Sequence, residues 1–135
     1  MSMLNFFQRS RTHWTPAAYG TDETTALFNV AAGDLIGSVF GLMRVAFDGT
    51  GGRTASLGDG DDTDRFMTTT VGDLSQAAGT FLVPLGGSGS NYLALGRHLY
   101  TAADTIDIVF VAATGGSPTA GAVDLWMYVA KVSPH

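Results

Sequence analysis

Short apolar runs separated by glycine clusters restrict this chain more than any other feature. "DGTGG" at 48–52, "LGGSGS" at 85–90 and "TGGSPTAGA" at 114–122 interrupt apolar stretches, and glycine occurs 18 times in 135 residues. Glycine in a helix costs about 1 kcal/mol relative to alanine, so runs of Ala, Thr and Val broken by glycine do not sustain long helices. The same spacing of turn chemistry suits an all-β sandwich or barrel. The length fits one domain, and a hydrophobic fraction of 45% is enough to bury a core. The fold class that follows is all-β: a single antiparallel β-sandwich or jelly-roll-like domain over 21–135, preceded by an extended N-terminal arm over 1–20.

Alternation places the strands. "TALFNVA" at 25–31 sets Ala26, Phe28 and Val30 on one face. "LIGSVFGLMRVAF" at 35–47 is a long strand with Val39, Met43, Val45 and Phe47 on one face and Ile36, Phe40 and Leu42 on the other. Both faces are apolar, so both need cover, and Gly37 and Gly41 inside the run suggest a bulge or close backbone approach. "DGTGG" reads as a hairpin turn leading to a third strand at 53–58. Short strands follow at 80–84 and within "NYLALG" and "RHLYT" at 91–101. "DTIDIVFVAA" at 104–113 and 122–132 read as a final hairpin, with Val123, Leu125, Met127 and Val129 inward and Asp124, Trp126 and Tyr128 outward. That makes seven or eight strands.

Charge narrows the function classes. Only 14% of residues are charged, less than a monomer of this size usually carries, which points to surface covered by a partner. A net charge of -5 argues against nucleic acid as a ligand. There are no cysteines, so disulfides and thiolate metal sites are excluded. No apolar run is long enough to span a membrane, and the start lacks the contiguous apolar segment of a secretory signal. A chain made in the cytoplasm and complete is expected.

The arm differs from the rest. It holds Arg9, Arg11 and His13 with no acid, and also Phe6, Phe7, Trp14 and Tyr19. A frayed terminus is the plain reading, but disordered segments are poor in aromatics. The favoured expectation is an arm that docks on its own domain, a neighbouring subunit or a larger assembly, drawn to acidic surface, with the domain from Thr21 on folding without it. Trp126 and Tyr128 join it as partner-binding candidates: subunit contact is the commoner use of such a stripe, and stacking on sugars is the other.

The stretch "SLGDGDDTDRFM" crowds Asp59, Asp61, Asp62 and Asp64 between glycines. Read as a calcium loop from Asp59, it has Thr63 at the fifth position and Thr70 at the twelfth, so the EF-hand pattern fails. A looser calcium site in a sandwich loop stays open. Catalysis by paired carboxylates would need a distant partner and a cleft, which no spacing reveals. The expected reading is a strand exit followed by a helical turn capped by Asp59 or Asp61. His13, His98 and His135 are scattered, no G-x-S-x-G elbow occurs, and "GSGSNYLALG" lacks the G-K-[ST] of a phosphate loop. No catalytic, metal or cofactor residue is assigned.

Three segments taken together, "ALFNVAAGDLIGSVFGLMRVAFDGTG", "ASLGDGDDTDRFM" and "LYTAADTIDIVFVAATGGSPTAGAVDLWMYVAKV", carry a resemblance. From Ala26 on, the chain resembles small virion structural proteins of tailed bacteriophages, most of all the capsid decoration (cement) proteins. The resemblance implies a non-enzymatic β-sandwich or jelly roll that sits on the capsid surface of the virion, often as a trimer. Its partner would be the major capsid protein, and it would clamp neighbouring capsomers. No catalytic residue comes with it. Alternatives are a tail or fibre component and a carbohydrate-binding module. The arm lies outside the matched segments.

Overall fold

The computed structural model describes residues 7–83, 98–112 and 118–131. Eight strands are present there: β1 (Phe7–Trp14), β2 (Glu23–Val30), β3 (Asp34–Val45), β4 (Thr54–Gly58), β5 (Phe81–Leu82), β6 (His98–Leu99), β7 (Asp104–Val111) and β8 (Ala122–Lys131). The described residues include no helix. The larger sheet runs β1-β8-β3-β5, with β6 also on β3, and the smaller runs β2-β7-β4. All pairings between named strands are antiparallel. The predicted all-β sandwich is therefore present, and the chain passes between the sheets as a jelly roll does. The expected strand within 91–96 lies outside the described residues.

Two predicted hairpins are not hairpins. β3 and β4 belong to different sheets, as do β7 and β8. The segment after β3 is an arch built around Arg53, a buried guanidinium that donates to the carbonyls of Phe47 (2.6 Å) and Gly51. Asp48 ties this arch to the segment before β8 by accepting from Thr119 N, Thr119 Oγ1 and Ala120 N. Glycine-rich turn chemistry suits an arch as well as a hairpin, because either needs residues at positive φ. Here Gly49 and Gly51 supply them, at φ 94° and 90°.

Three strand faces also differ from simple alternation. A register shift at Leu27 separates Ala26, which is exposed, from Phe28, which is buried. A shift between Ile36 and Ser38, at Gly37, brings Ile36 into the core with Val39 and Met43. A third, between Met43 and Val45, turns Val45 outward to 46% exposure. Each bulge adds one residue to its strand and exchanges the faces beyond it. Gly41 has the other expected role: a Cβ there would stand 3.0 Å from Val123 Cγ1.

The segment read as an arm is largely a strand of this domain. β1 pairs with β8 residue for residue, from Phe7↔Ala130 to Trp14↔Val123. Trp14 is buried, stacked on Phe47 (6.1 Å between centroids) and edge-on to Phe110 (5.6 Å). Tyr19 closes the same end of the sandwich by donating to Gly121 O at 3.0 Å and packing edge-on to Phe47. Of the three docking partners expected for this segment, its own domain takes residues 7–14.

Candidate interaction surface

The outer face of the larger sheet is assembled in rows across β1, β8 and β3. Arg11 lies opposite Trp126, and Trp126 opposite Phe40. Arg9, Tyr128 and Ser38 form the row on one side, and His13, Asp124 and Leu42 the row on the other. Period-2 geometry puts Arg9, Arg11 and His13 outward and sends Ser10, Thr12 and Trp14 toward the core. Phe40 stacks on Trp126 (5.5 Å, 16°) and on Tyr128 (6.0 Å, 15°), and the Arg11 guanidinium lies over Trp126 at 5.5 Å. A guanidinium over an indole gains from the ring quadrupole. At the far edge of the same sheet, Phe81 opposite Leu42 and Leu99 opposite Leu35 are both exposed.

Asp124 is the centre of the charged part. Its side chain is 1% exposed, yet three groups from two neighbouring strands converge on it. Arg11 donates to Oδ2 at 2.6 Å, His13 Nδ1 donates to Oδ1 at 2.6 Å, and Arg44 Nε stands 3.0 Å from Oδ2. Arg44 reaches it because it occupies the bulge between Met43 and Val45. Burial pushes the Asp124 carboxyl up, but the hydrogen bonds from His13 and Arg11 and the charges of Arg11 and Arg44 outweigh it, holding the group below the usual range. Arg11, His13 and Arg44 all stay more than half exposed.

Four of the sequence candidates therefore meet on one face: Arg9, Arg11, Trp126 and Tyr128. Trp14 and Tyr19 do not join them, because Trp14 packs inside the sandwich end and Tyr19, partly buried, packs against it. Phe7 opens β1, and Phe6 lies outside the described residues. Sequence reasoning turned Asp124 outward with Trp126 and Tyr128, but it missed Phe40, Arg44 and His13 as members of the face and Asp124 as the centre of a charge cluster. An aspartate in an otherwise apolar final strand was the one signal that could have found the cluster.

No family model matches the chain, and no curated protein matches it. The fold itself has a counterpart. It is a chain of the capsid asymmetric unit of the cyanophage Pam1, aligned with a TM-score of 0.58 at 13% identity. The match covers 98% of this chain and 91% of that one, so both are small and built on the same sandwich.

The aspartate-rich turn forms a separate polar site. Asp59, 2% exposed, accepts from the backbone N–H of Asp61 (3.1 Å) and Asp62 (2.9 Å), from Arg65 Nε (2.8 Å) and from Tyr100 Oη (2.7 Å). Burial opposes its ionisation, but these donors and the Arg65 charge leave its pKa lowered. Tyr100 moves up instead, through burial and its bond to Asp59. Arg65 also faces His98 Nδ1 at 3.3 Å, and burial followed by the Arg65 charge pulls His98 down. The expected capped helical turn is thus a non-helical turn organised by one buried carboxylate. A pocket of about 220 Å³ opens beside it. Among the described residues, no group of three acids or histidines could hold a metal ion.

Proposed function

We propose that this chain is a non-enzymatic structural virion protein that binds the outer surface of a phage capsid as an oligomer, with a trimer favoured, and stabilises contacts between capsomers. The observation that carries the reading is the shared sandwich, which spans nearly all of this chain and of a chain in a cyanophage capsid asymmetric unit. The outer face of the larger sheet supports it. Half-buried aromatic side chains grouped with exposed arginines on one face are the composition of protein interfaces. Arg9, Arg11, Trp126 and Tyr128 are the proposed contacts with the major capsid protein or a neighbouring subunit. A sugar platform is less favoured, because Phe40 and Arg11 already cover the ring faces a sugar would stack on.

The test is co-sedimentation of purified protein with empty shells assembled from the major capsid protein of the same phage. Saturable binding, a shell that resists heat better when coated, and loss of both on Trp126→Ala are the expected results. Full-length, folded protein that leaves shells bare at micromolar concentration would sink the proposal. Retention on tail tips or on a glycan array instead would move the chain to one of the alternatives.

A further inference from the structure

We propose that Arg11 and Arg44, held side by side over Asp124, form the anchor of this surface for carboxylates on an acidic protein surface of the shell. The inference rests on the shell-binding reading and names the chemistry that reading would use. A carboxylate accepts a limited set of hydrogen bonds, whereas each guanidinium offers five N–H donors in a rigid fork. Asp124 takes one short contact from Arg11 and one from Arg44 Nε. The remaining donors belong to side chains that are 54% and 52% exposed. Asp124 itself is covered, so a partner meets the cations and not the acid between them.

The cluster is braced rather than floppy. Trp126 lies under Arg11, the bulge aims Arg44, and His13 fills the other oxygen of Asp124. Bracing removes side-chain freedom before binding, and so lowers the entropy lost on contact. The neighbouring Phe40, Trp126 and Leu42 supply an apolar centre. Paired guanidiniums beside an apolar centre fit an acidic protein surface.

Other occupants fit less well. A two-fold contact between copies would set these cations against themselves or against the apolar edge at Phe81 and Leu99. Of the chain's own acids, Asp34 and Asp124 in the larger sheet are buried in ion pairs, and the aspartate-rich turn lies elsewhere: Gly58, which leads into the turn bearing Asp61, Asp62 and Asp64, pairs with Asp107 in the smaller sheet. Stacking that sheet on the next copy's larger sheet is a head-to-tail contact, which closes into a ring only where each copy is turned relative to the last; faces on opposite sides of one sandwich stack without that turn and leave an open chain. Nucleic acid is opposed by the net charge of -5.

The experiment measures binding of full-length wild type, Arg11→Gln, Arg44→Gln, Arg44→Lys and Asp124→Asn to two probes at pH 7, with duplex DNA as a control. One probe is empty shells; the other is a poly-glutamate resin. Melting curves check that each variant is folded. Wild type should bind both probes and leave both as salt rises. Either glutamine variant should weaken shell binding by roughly thirtyfold or more. Arg44→Lys should restore little of it, because a lysine keeps the charge but not the fork. Shell binding that is unchanged in both glutamine variants overturns the anchor while leaving the shell reading intact. Arginine-dependent retention on poly-glutamate with no binding to shells supports the anchor and sinks the shell reading. Tighter arginine-dependent binding to duplex DNA than to poly-glutamate overturns the choice of an acidic protein. Asp124→Asn, if folded, should lose shell affinity although it removes a negative charge; a gain in affinity would overturn its positioning role.

Discussion

The ring of Trp14 meets that of Phe110 edge-on, with centroids 5.6 Å apart. This contact joins the edge strand of the larger sheet to the central strand of the smaller one, and Phe47 packs on both rings. Trp14→Ala should therefore lower stability by about 3–5 kcal/mol, as for other buried tryptophans. Trp14→Phe should cost much less, because the indole N–H has no hydrogen-bond partner among the described residues. Deleting 1–20 should leave a chain that aggregates or unfolds, since it bares β8 along its length. Urea titration followed by tryptophan fluorescence from Trp126 checks all three. A deletion variant of wild-type stability would show β1 to be dispensable.

Acid should weaken the fold through Asp59 and Asp124. Both have folded pKa values below their ordinary ones, Asp59 against burial through Arg65 and Tyr100, and Asp124 against burial through His13 and Arg11. Their contribution is fully present above the unfolded carboxylate range, near pH 4, and is lost as pH falls through the folded values. Melting temperature should be highest near pH 7 to 8, slip below about pH 6.5 because His98, whose folded pKa is lowered by burial and the Arg65 charge, is protonated first in the unfolded chain, and fall steeply below pH 4. A flat profile down to pH 2 would remove both carboxylates from the account.

Tyr100 gives the opposite sign at the alkaline end. Its folded pKa lies above that of free tyrosine, through burial and the bond to Asp59. The unfolded chain ionises first, so stability present below about pH 10 is lost as pH rises beyond it. Tyr100→Phe should cost about 1–3 kcal/mol at pH 7, because it leaves one oxygen of a buried carboxylate short of a donor. It should also flatten the alkaline fall in melting temperature. Equal alkaline slopes for the two proteins would exclude Tyr100 as the titrating group.

Gly58→Ala should be among the more damaging single-methyl additions. A Cβ there would lie 2.1 Å from the backbone oxygen of Asp62, where the turn folds back over β4. The turn must shift, and with it the Ser56 Oγ bond to Thr63 O. A loss of about 3 kcal/mol is expected. Gly60→Ala, with open space at the same position of the added methyl, is the control that should change little. Similar melting temperatures for the two would mean the turn yields easily.

Calcium should not stabilise the protein. The Asp59 carboxylate is already occupied by two backbone N–H groups, Arg65 and Tyr100. A ligand at a hundred times its dissociation constant adds about 2.7 kcal/mol, which differential scanning would detect easily. A rise of several degrees in calcium, abolished by Asp61→Ala, would establish a site in this turn.

The sequence by itself determined the strands. Apolar alternation in 104–111 and 122–131, and glycine between runs, mark β7 and β8 to within a few residues, because a half-buried strand must alternate. It also put Arg9, Arg11, Trp126 and Tyr128 forward, since arginine and aromatic side chains outside a core stand out. What it left undecided is which strand lies beside which. A period of two says which residues share a face but is silent about the neighbouring strand, so the arches at 47–53 and before β8 read as hairpins. Bulges are equally hidden: Gly37 flags a possible one, yet only pairing with β8 sends Ile36 into the core and lifts Arg44 toward Asp124. The first strand shows the same limit. Its arginines and aromatics read as a docking arm until β8 supplies the backbone partners that make Phe7–Trp14 an edge strand, with Trp14 in the core and Arg11 on the face. Asp124 is the clearest case, because a carboxylate in an apolar strand is tolerable only when cations from β1 and β3 arrive beside it, and their arrival is a property of the sheet rather than of any segment.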